Sequence, residues 1–384
     1  MKIRKFCCFF VLISILLTNF IPSVYSVPSE EGGMSFDCVS AILIEAESGA
    51  VLFEQNADEP LPPASVTKVM TLLLVMEAIE SGKISLSDTV VASAHACSMG
   101  GSQIYLEEGE AMCVEDLLKS VVISSANDAA VALAEYVCGS ETAFVDAMNK
   151  RAEELGMNNT HFENTNGLDD TVDNHLTSAR DIAIMSAELL SHKKITEYSS
   201  IWMDTIRNGE FGLTNTNRLV RFYKGANGLK TGSTSKAKFC ISASAERNGM
   251  TLIAVIMAAP TRDIRNAAAT ALLDYGFANF TLYRAKSEEL SPVKVVGGVK
   301  NSCTVKNNDF GIVVEKKDLS NVKSQIEVSS QVKAPIKIGD TVGKVNYFVG
   351  EKCIGSSDIV ALEEVLSVNY LHVLLKFIAS MTLF

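Results

Sequence analysis

Pro62-Pro63-Ala64-Ser65-Val66-Thr67-Lys68-Val69-Met70-Thr71 opens an almost unbroken apolar run that continues to Ile79. The prolines break the chain, because each lacks a backbone donor and fixes its own φ. Residues 66–79 are too long for an ordinary strand and do not alternate. They predict a helix buried all round and stopped near Gly82. Ser65 stands at the mouth of that helix, where free N–H groups and partial positive charge favour a developing anion. Lys68 lies one turn deeper on the same face. Burial and a second nearby cation both lower a lysine pKa, so Lys68 is expected to be partly neutral. Ser65 then reads as a nucleophile and Lys68 as its proton acceptor, which predicts acyl transfer through a serine ester.

Ser-x-x-Lys alone is weak, since it begins at seven serines here: 65, 191, 233, 235, 291, 320 and 330. Two downstream motifs single out the first. Ser125-Ala126-Asn127 falls at a break between two helical stretches within residues 115–138. Ser125 there can relay a proton to a leaving amine, and Asn127 can offer its amide to substrate and to Lys68. Lys230-Thr231-Gly232 precedes an apolar strand. Lys230 supplies positive charge for a substrate carboxylate, Thr231 a hydroxyl, and Gly232 room for a substrate strand to approach. The backbone N–H groups of Ser65 and Ser233 form the expected oxyanion hole. Alone, either motif could be a helix cap or an exposed turn.

Outward from these motifs, residues 41–45 and 51–54 predict a hairpin, and residues 178–191 a helix. Residues 239–245 and 251–258 predict strands joined through Asn248-Gly249, with a helix over 262–275. Strands at both ends with helices between predict an α+β domain over residues 27–283. It would be built on an antiparallel sheet with the terminal helices on one face. Short β-branched runs at 293–296, 311–314, 332–338 and 342–348 predict a small all-β domain over 284–362, with a spacing or docking role.

The termini carry targeting signals. Lys2, Arg4 and Lys5 precede an apolar stretch over 6–20, and Val24-Tyr25-Ser26 suits cleavage. Residues 1–26 therefore read as a secretory signal, the alternative being an uncleaved anchor. Export to the outer face of the cytoplasmic membrane and the cell wall follows. Residues 365–384 are nearly all apolar, and Asn369, His372, Lys376 and Ser380 fall on one helix face. This predicts a membrane-interface anchor over 363–384. A transmembrane span is disfavoured by about 2.5–3.5 kcal/mol for a central lysine, and a helix docked on the protein is the third reading.

Composition is that of a globular protein, with 47% hydrophobic and 21% charged residues. The chain has 34 lysines and arginines against 45 acids; without the three basic residues of the signal, 31 face 45, a net charge of −14. Nucleic-acid binding is excluded on that charge. Seven cysteines remain beyond the signal, and an odd number leaves at least one thiol free or paired between chains. The five scattered histidines suggest no metal site, and no cofactor motif is found.

The ordered triplet of motifs resembles the low-molecular-mass penicillin-binding proteins, the serine-type D-alanyl-D-alanine carboxypeptidases of peptidase family S11. Further likeness lies in residues 63–71, in Thr160-His161-Phe162 through Asn166-Gly167-Leu168-Asp169, and in Leu272-Leu273-Asp274-Tyr275-Gly276-Phe277. The resemblance implies a β-lactamase/transpeptidase-like fold and the peptidoglycan stem pentapeptide as substrate. It implies release of the terminal D-alanine and acylation of Ser65 by β-lactams. By motif position it also implies that Arg265 helps hold the terminal carboxylate. Three departures stand out: Ala126 where glycine is commoner, Ser233 where relatives carry a larger residue, and Ala237-Lys238 for Ala-Gly. Two rivals remain. A β-lactamase would need a deacylating glutamate, and Glu163-Asn164-Thr165-Asn166 superficially offers one. A catalytically impaired wall-binding protein would follow if Lys238 spoiled the site.

Overall fold

The computed structural model of the chain describes residues 34–329, 331–370 and 378. The expected signal over 1–26 and most of the expected anchor lie outside these residues. At the centre of the larger domain is a five-stranded antiparallel sheet. Its strands are β1 (Ser40–Glu45), β2 (Val51–Gln55), β3 (Ala226–Thr234), β4 (Lys238–Arg247) and β5 (Met250–Ala259), in the order β2-β1-β5-β4-β3. β4 and β5 pair from Arg247 and Met250 onward, so Asn248-Gly249 is a two-residue turn. Both turn residues have positive φ, 54° and 75°, as a type I′ turn requires.

The apolar run forms α1 (Lys68–Glu80), with Val69, Met70, Leu73, Val75 and Met76 fully buried. Each such side chain contributes about 1.5–3 kcal/mol of burial. α2 (Val114–Ser124), α3 (Asn127–Cys138) and α4 (Ala179–Ser191) surround it and share one core with a face of the sheet. The opposite face, with Leu43, Ile241, Leu252 and Ile256, is covered by α5 (Arg262–Asn279). The expected place on one face is held by the terminal helix α5, with Leu219 of the short helix Leu219–Phe222 in the same core. Ser65 does not open the α-helix itself. Residues Ala64–Thr67 form a 3-10 turn, and α1 begins at Lys68. The turn arises because Ala64 sits at φ 48° and Val66 N–H reaches back to the Pro63 carbonyl.

The small domain is all-β. Its six-stranded sheet contains β7 (Glu289–Val296), β8 (Ser302–Asn307), β10 (Val322–Val328), β11 (Val332–Lys333), β12 (Thr341–Val349) and β13 (Lys352–Ala361). Beside it β6 (Phe280–Ala285) pairs with β9 (Phe310–Glu315), so the boundary expected at residue 284 falls inside a strand bonded to the small domain. The run at 332–338 is strand only over its first two residues, because Pro335 has no N–H to give a ladder. The anchor expected from 363 is also corrected. Glu363 pairs with Lys300, Val365 bridges Ile336, and Val368 N–H donates to the Gly297 carbonyl. Residues 363–368 thus complete the β-domain, with Val365 buried in its core. Cys38, Cys97, Cys113, Cys138, Cys240 and Cys303 are free thiols.

Candidate active site

The 3-10 turn at the mouth of α1 places Ser65 against the edge strand β3. Gly232 makes that approach possible: a Cβ there would lie 2.9 Å from the Ser65 nitrogen and 2.8 Å from the Pro63 carbonyl. The first N–H groups of a helical turn have no partner inside it, so Ser65 N–H is available to a ligand.

Lys68 is fully buried, and its amine makes three contacts. Nζ lies 3.0 Å from Ser65 Oγ, 2.6 Å from Asn127 Oδ1 and 2.8 Å from the Asn166 carbonyl. The last two oxygens only accept. Asn127 is oriented this way because its Nδ2 donates to the Gly100 carbonyl at 2.7 Å. Two amine protons are thereby committed. In the neutral amine the lone pair is left for Ser65 Oγ, the geometry of a base accepting the hydroxyl proton. Burial first, and the Lys230 charge second, hold the Lys68 pKa well below its ordinary value. Burial first, and the Arg265 charge second, push Lys230 down to about 7.

Ser125 ends α2 in the left-handed region, at φ 63° and ψ 29°. Such a conformation costs a non-glycine residue about 1–2 kcal/mol. It turns the side chain into a cleft of about 600 Å³, shared with Ser65, Thr231, Gly232, Ser233 and Arg265. Ser125 Oγ is buried and has no hydrogen-bond partner among the described residues. Thr231 Oγ1 donates to Thr216 Oγ1 at 2.8 Å. Arg265 is nearly buried, held by Asn266 Oδ1 and the Cys240 carbonyl, and burial and Arg262 lower its pKa to about 10. Arg218 and Arg262 line the same cleft, which therefore suits an anion. A larger groove of about 860 Å³ runs along α4 and the β1–β2 turn, but it holds none of these groups.

Residues 27–261 match the D-alanyl-D-alanine carboxypeptidases of peptidase S11, and residues 277–367 the C-terminal domain of penicillin-binding protein 5. The chain belongs to the S11 D-alanyl-D-alanine carboxypeptidase family. D-alanyl-D-alanine carboxypeptidase DacF of Bacillus subtilis is 40% identical, over 97% of this chain and 98% of that protein. DacC of Escherichia coli is 33% identical over 92% and 90%. Penicillin-binding protein 5 from Haemophilus influenzae superposes with a TM-score of 0.79 at 33% identity, over 87% of this chain and 99% of that one. The protein is thus a penicillin-binding serine carboxypeptidase of the S11 family, with the fold expected from its motifs.

In this carboxypeptidase, residues of all three motifs meet at one cleft, as their order suggested. Reading the motifs alone missed the Asn166 carbonyl on Lys68 and the Thr216 hydroxyl on Thr231. The Asn166-Gly167 pair was visible only as a likeness, and nothing in sequence marked Thr216. The unusual Lys238 sits at φ 56°, which accounts for the glycine expected there. Its side chain is exposed and is not among the residues lining the cleft.

Proposed function

We propose that Ser65 is the acyl-ester nucleophile of this carboxypeptidase, Lys68 its base and Ser125 the proton shuttle. Ser65 Oγ attacks the carbonyl of the penultimate D-alanine of a stem pentapeptide while its proton passes to Lys68 Nζ. The C–N bond then breaks, and Ser125 relays a proton to the departing D-alanine amine. Water hydrolyses the ester and restores Ser65. Asn127 holds Lys68 and the substrate backbone. Lys230, Thr231 and Arg265 hold the terminal carboxylate, and the N–H groups of Ser65 and Ser233, beside Gly232, receive the oxyanion. The observation that carries this reading is the amine of Lys68, with two protons committed elsewhere and its third direction on Ser65 Oγ.

The β-lactamase reading draws no support from Glu163. Its side chain is exposed and its carboxylate accepts Asn174 N–H, so it is not poised over Ser65. Ser65→Ala abolishes D-alanine release and penicillin labelling, a loss of about 10⁴-fold or more. Mass spectrometry of the penicillin-treated protein maps the adduct to the Ser65 peptide. D-alanine release retained in the variant refutes the assignment.

The catalytic unit is taken to end with α5 and the β-domain to run through Val368. Export through residues 1–26, and attachment to the membrane surface through the apolar tail after Val368, are part of the same proposal. Among the described residues no helix is long and apolar enough to cross a membrane. A chain ending at Val368 keeps the β-domain whole and leaves the membrane fraction; continued pelleting with membranes contradicts the anchor.

A further inference from the structure

His175 belongs to none of the three motifs, yet it is buried beneath the nucleophile turn. Its Nδ1 lies 3.0 Å from the backbone N–H of Glu163, and its Nε2 2.7 Å from Thr67 Oγ1. A backbone N–H only donates, so Nδ1 is the bare nitrogen and Nε2 carries the proton. His175 therefore donates to Thr67 Oγ1. That leaves the Thr67 proton for the Ala64 carbonyl, 2.8 Å away. The three links run in one direction and end on Ala64.

The Ala64 carbonyl and the Ser65 N–H are the two ends of one planar peptide group. Ala64 is held at φ 48°, a region that costs a non-glycine residue free energy and persists only under external restraint. Gly167 packs against the same carbonyl from the other side, an approach only a glycine allows, since a Cβ there would lie 1.9 Å from the Ala64 oxygen. A hydrogen bond received by the carbonyl draws electron density toward oxygen and strengthens the N–H donor at the far end. This is the mutual polarisation of linked hydrogen bonds.

We propose that His175 is a positioning residue for the oxyanion hole: through Thr67 it orients and polarises the Ala64–Ser65 peptide, whose N–H meets the tetrahedral oxyanion. This rests on the Ser65 acyl-enzyme reading above. Burial, with the neighbouring His161, pushes the His175 pKa down to about 4, so the neutral ring the relay needs persists around neutral pH.

The test is infrared difference spectroscopy of the penicilloyl-enzyme with a carbonyl-labelled penicillin. Acylation rates and thermal midpoints are measured alongside in wild type, Thr67→Val, His175→Ala and His175→Gln. Thr67→Val and His175→Ala are expected to acylate about tenfold more slowly, short of the 10²–10³ that outright loss of a donor costs. Their ester carbonyl band moves to higher wavenumber. His175→Gln can present an amide N–H in place of Nε2–H, and it restores the band and the rate to within about threefold of wild type. The Thr67→Val/His175→Ala double variant is no slower than the slower single one, as residues acting through one relay require. An unshifted band in Thr67→Val overturns the proposal, whether its rate is normal or falls only with its thermal midpoint. A wild-type protein that forms no penicilloyl ester overturns the acyl-enzyme reading itself, and this one with it.

Discussion

The catalytic domain and the β-domain solve opposite problems. Among the described residues, Lys68, Lys230 and Arg265 are the buried cations, and all three belong to the catalytic domain around one cleft. The β-domain buries Val305, Ile336, Val345 and Tyr347, and among the described residues its buried polar ones are Asn307 and Ser357. Burying a charge without full compensation costs several kcal/mol. The catalytic domain carries that cost where the proposed mechanism needs a neutral amine and a cationic anion site. The β-domain has no such need, and in its core Phe310 stacks on Tyr347 at 4.1 Å.

Lys68→Met breaks the contrast most severely. It removes the proposed base while keeping an unbranched side chain in the helix. Acylation by penicillin falls about 10³-fold, within the range for loss of a positioned base, in stopped-flow measurements on folded protein. Acylation at the wild-type rate would remove Lys68 from the mechanism.

Gly167→Ala tests the packing behind the nucleophile. The added methyl has no room beside the Ala64 carbonyl and sits at φ 82°. A displacement of about 1 Å near the reacting atoms costs about 10² in rate. The variant is expected to lose activity on that scale and to melt earlier.

The pH profile sharpens the comparison between the two lysines. In the proposed mechanism Lys68 acts when neutral, and its pKa lies well below normal, so it is expected to set the acid limb. In the proposed mechanism Lys230 acts when charged, and its pKa is lowered to about 7, so charge is lost as pH rises through that value. kcat/KM is expected to fall about tenfold per pH unit on the alkaline side. Lys230→Arg, which keeps its charge, moves this limb upward. A limb that stays in place assigns it to another group.

Tyr347→Ala has the smallest effect on catalysis and completes the contrast. Loss of a buried aromatic destabilises the β-domain by about 3–5 kcal/mol, visible as an earlier calorimetric transition. D-alanine release from a soluble pentapeptide stays within about twofold, because separate sites act additively. A parallel loss of activity would mean that the β-domain supports the cleft.

Much of this was legible along the chain. The helix of residues 68–80 announced itself by an apolar run with no alternation, and Asn248-Gly249 announced a two-residue turn. The 3-10 turn at Ser65 was not legible, because it depends on Ala64 being held at positive φ by groups a hundred residues away. The tail was misjudged for a related reason. Val365 and Val368 look like the start of a greasy helix, yet they add to a sheet whose open edge no local pattern reveals.

The order and chemistry of Ser65, Lys68, Ser125 and Lys230, and the alternation of apolar and turn residues, are local properties. They determined the reaction class, the α+β architecture and the presence of a second, β-rich unit. Only the tertiary structure decided which carbonyl takes the second proton of Lys68, which hydroxyl faces Thr231, and which histidine lies under the nucleophile. Those contacts join segments far apart in sequence, and their energies depend on burial, direction and exclusion of water. None of these exists until the chain has closed around the cleft.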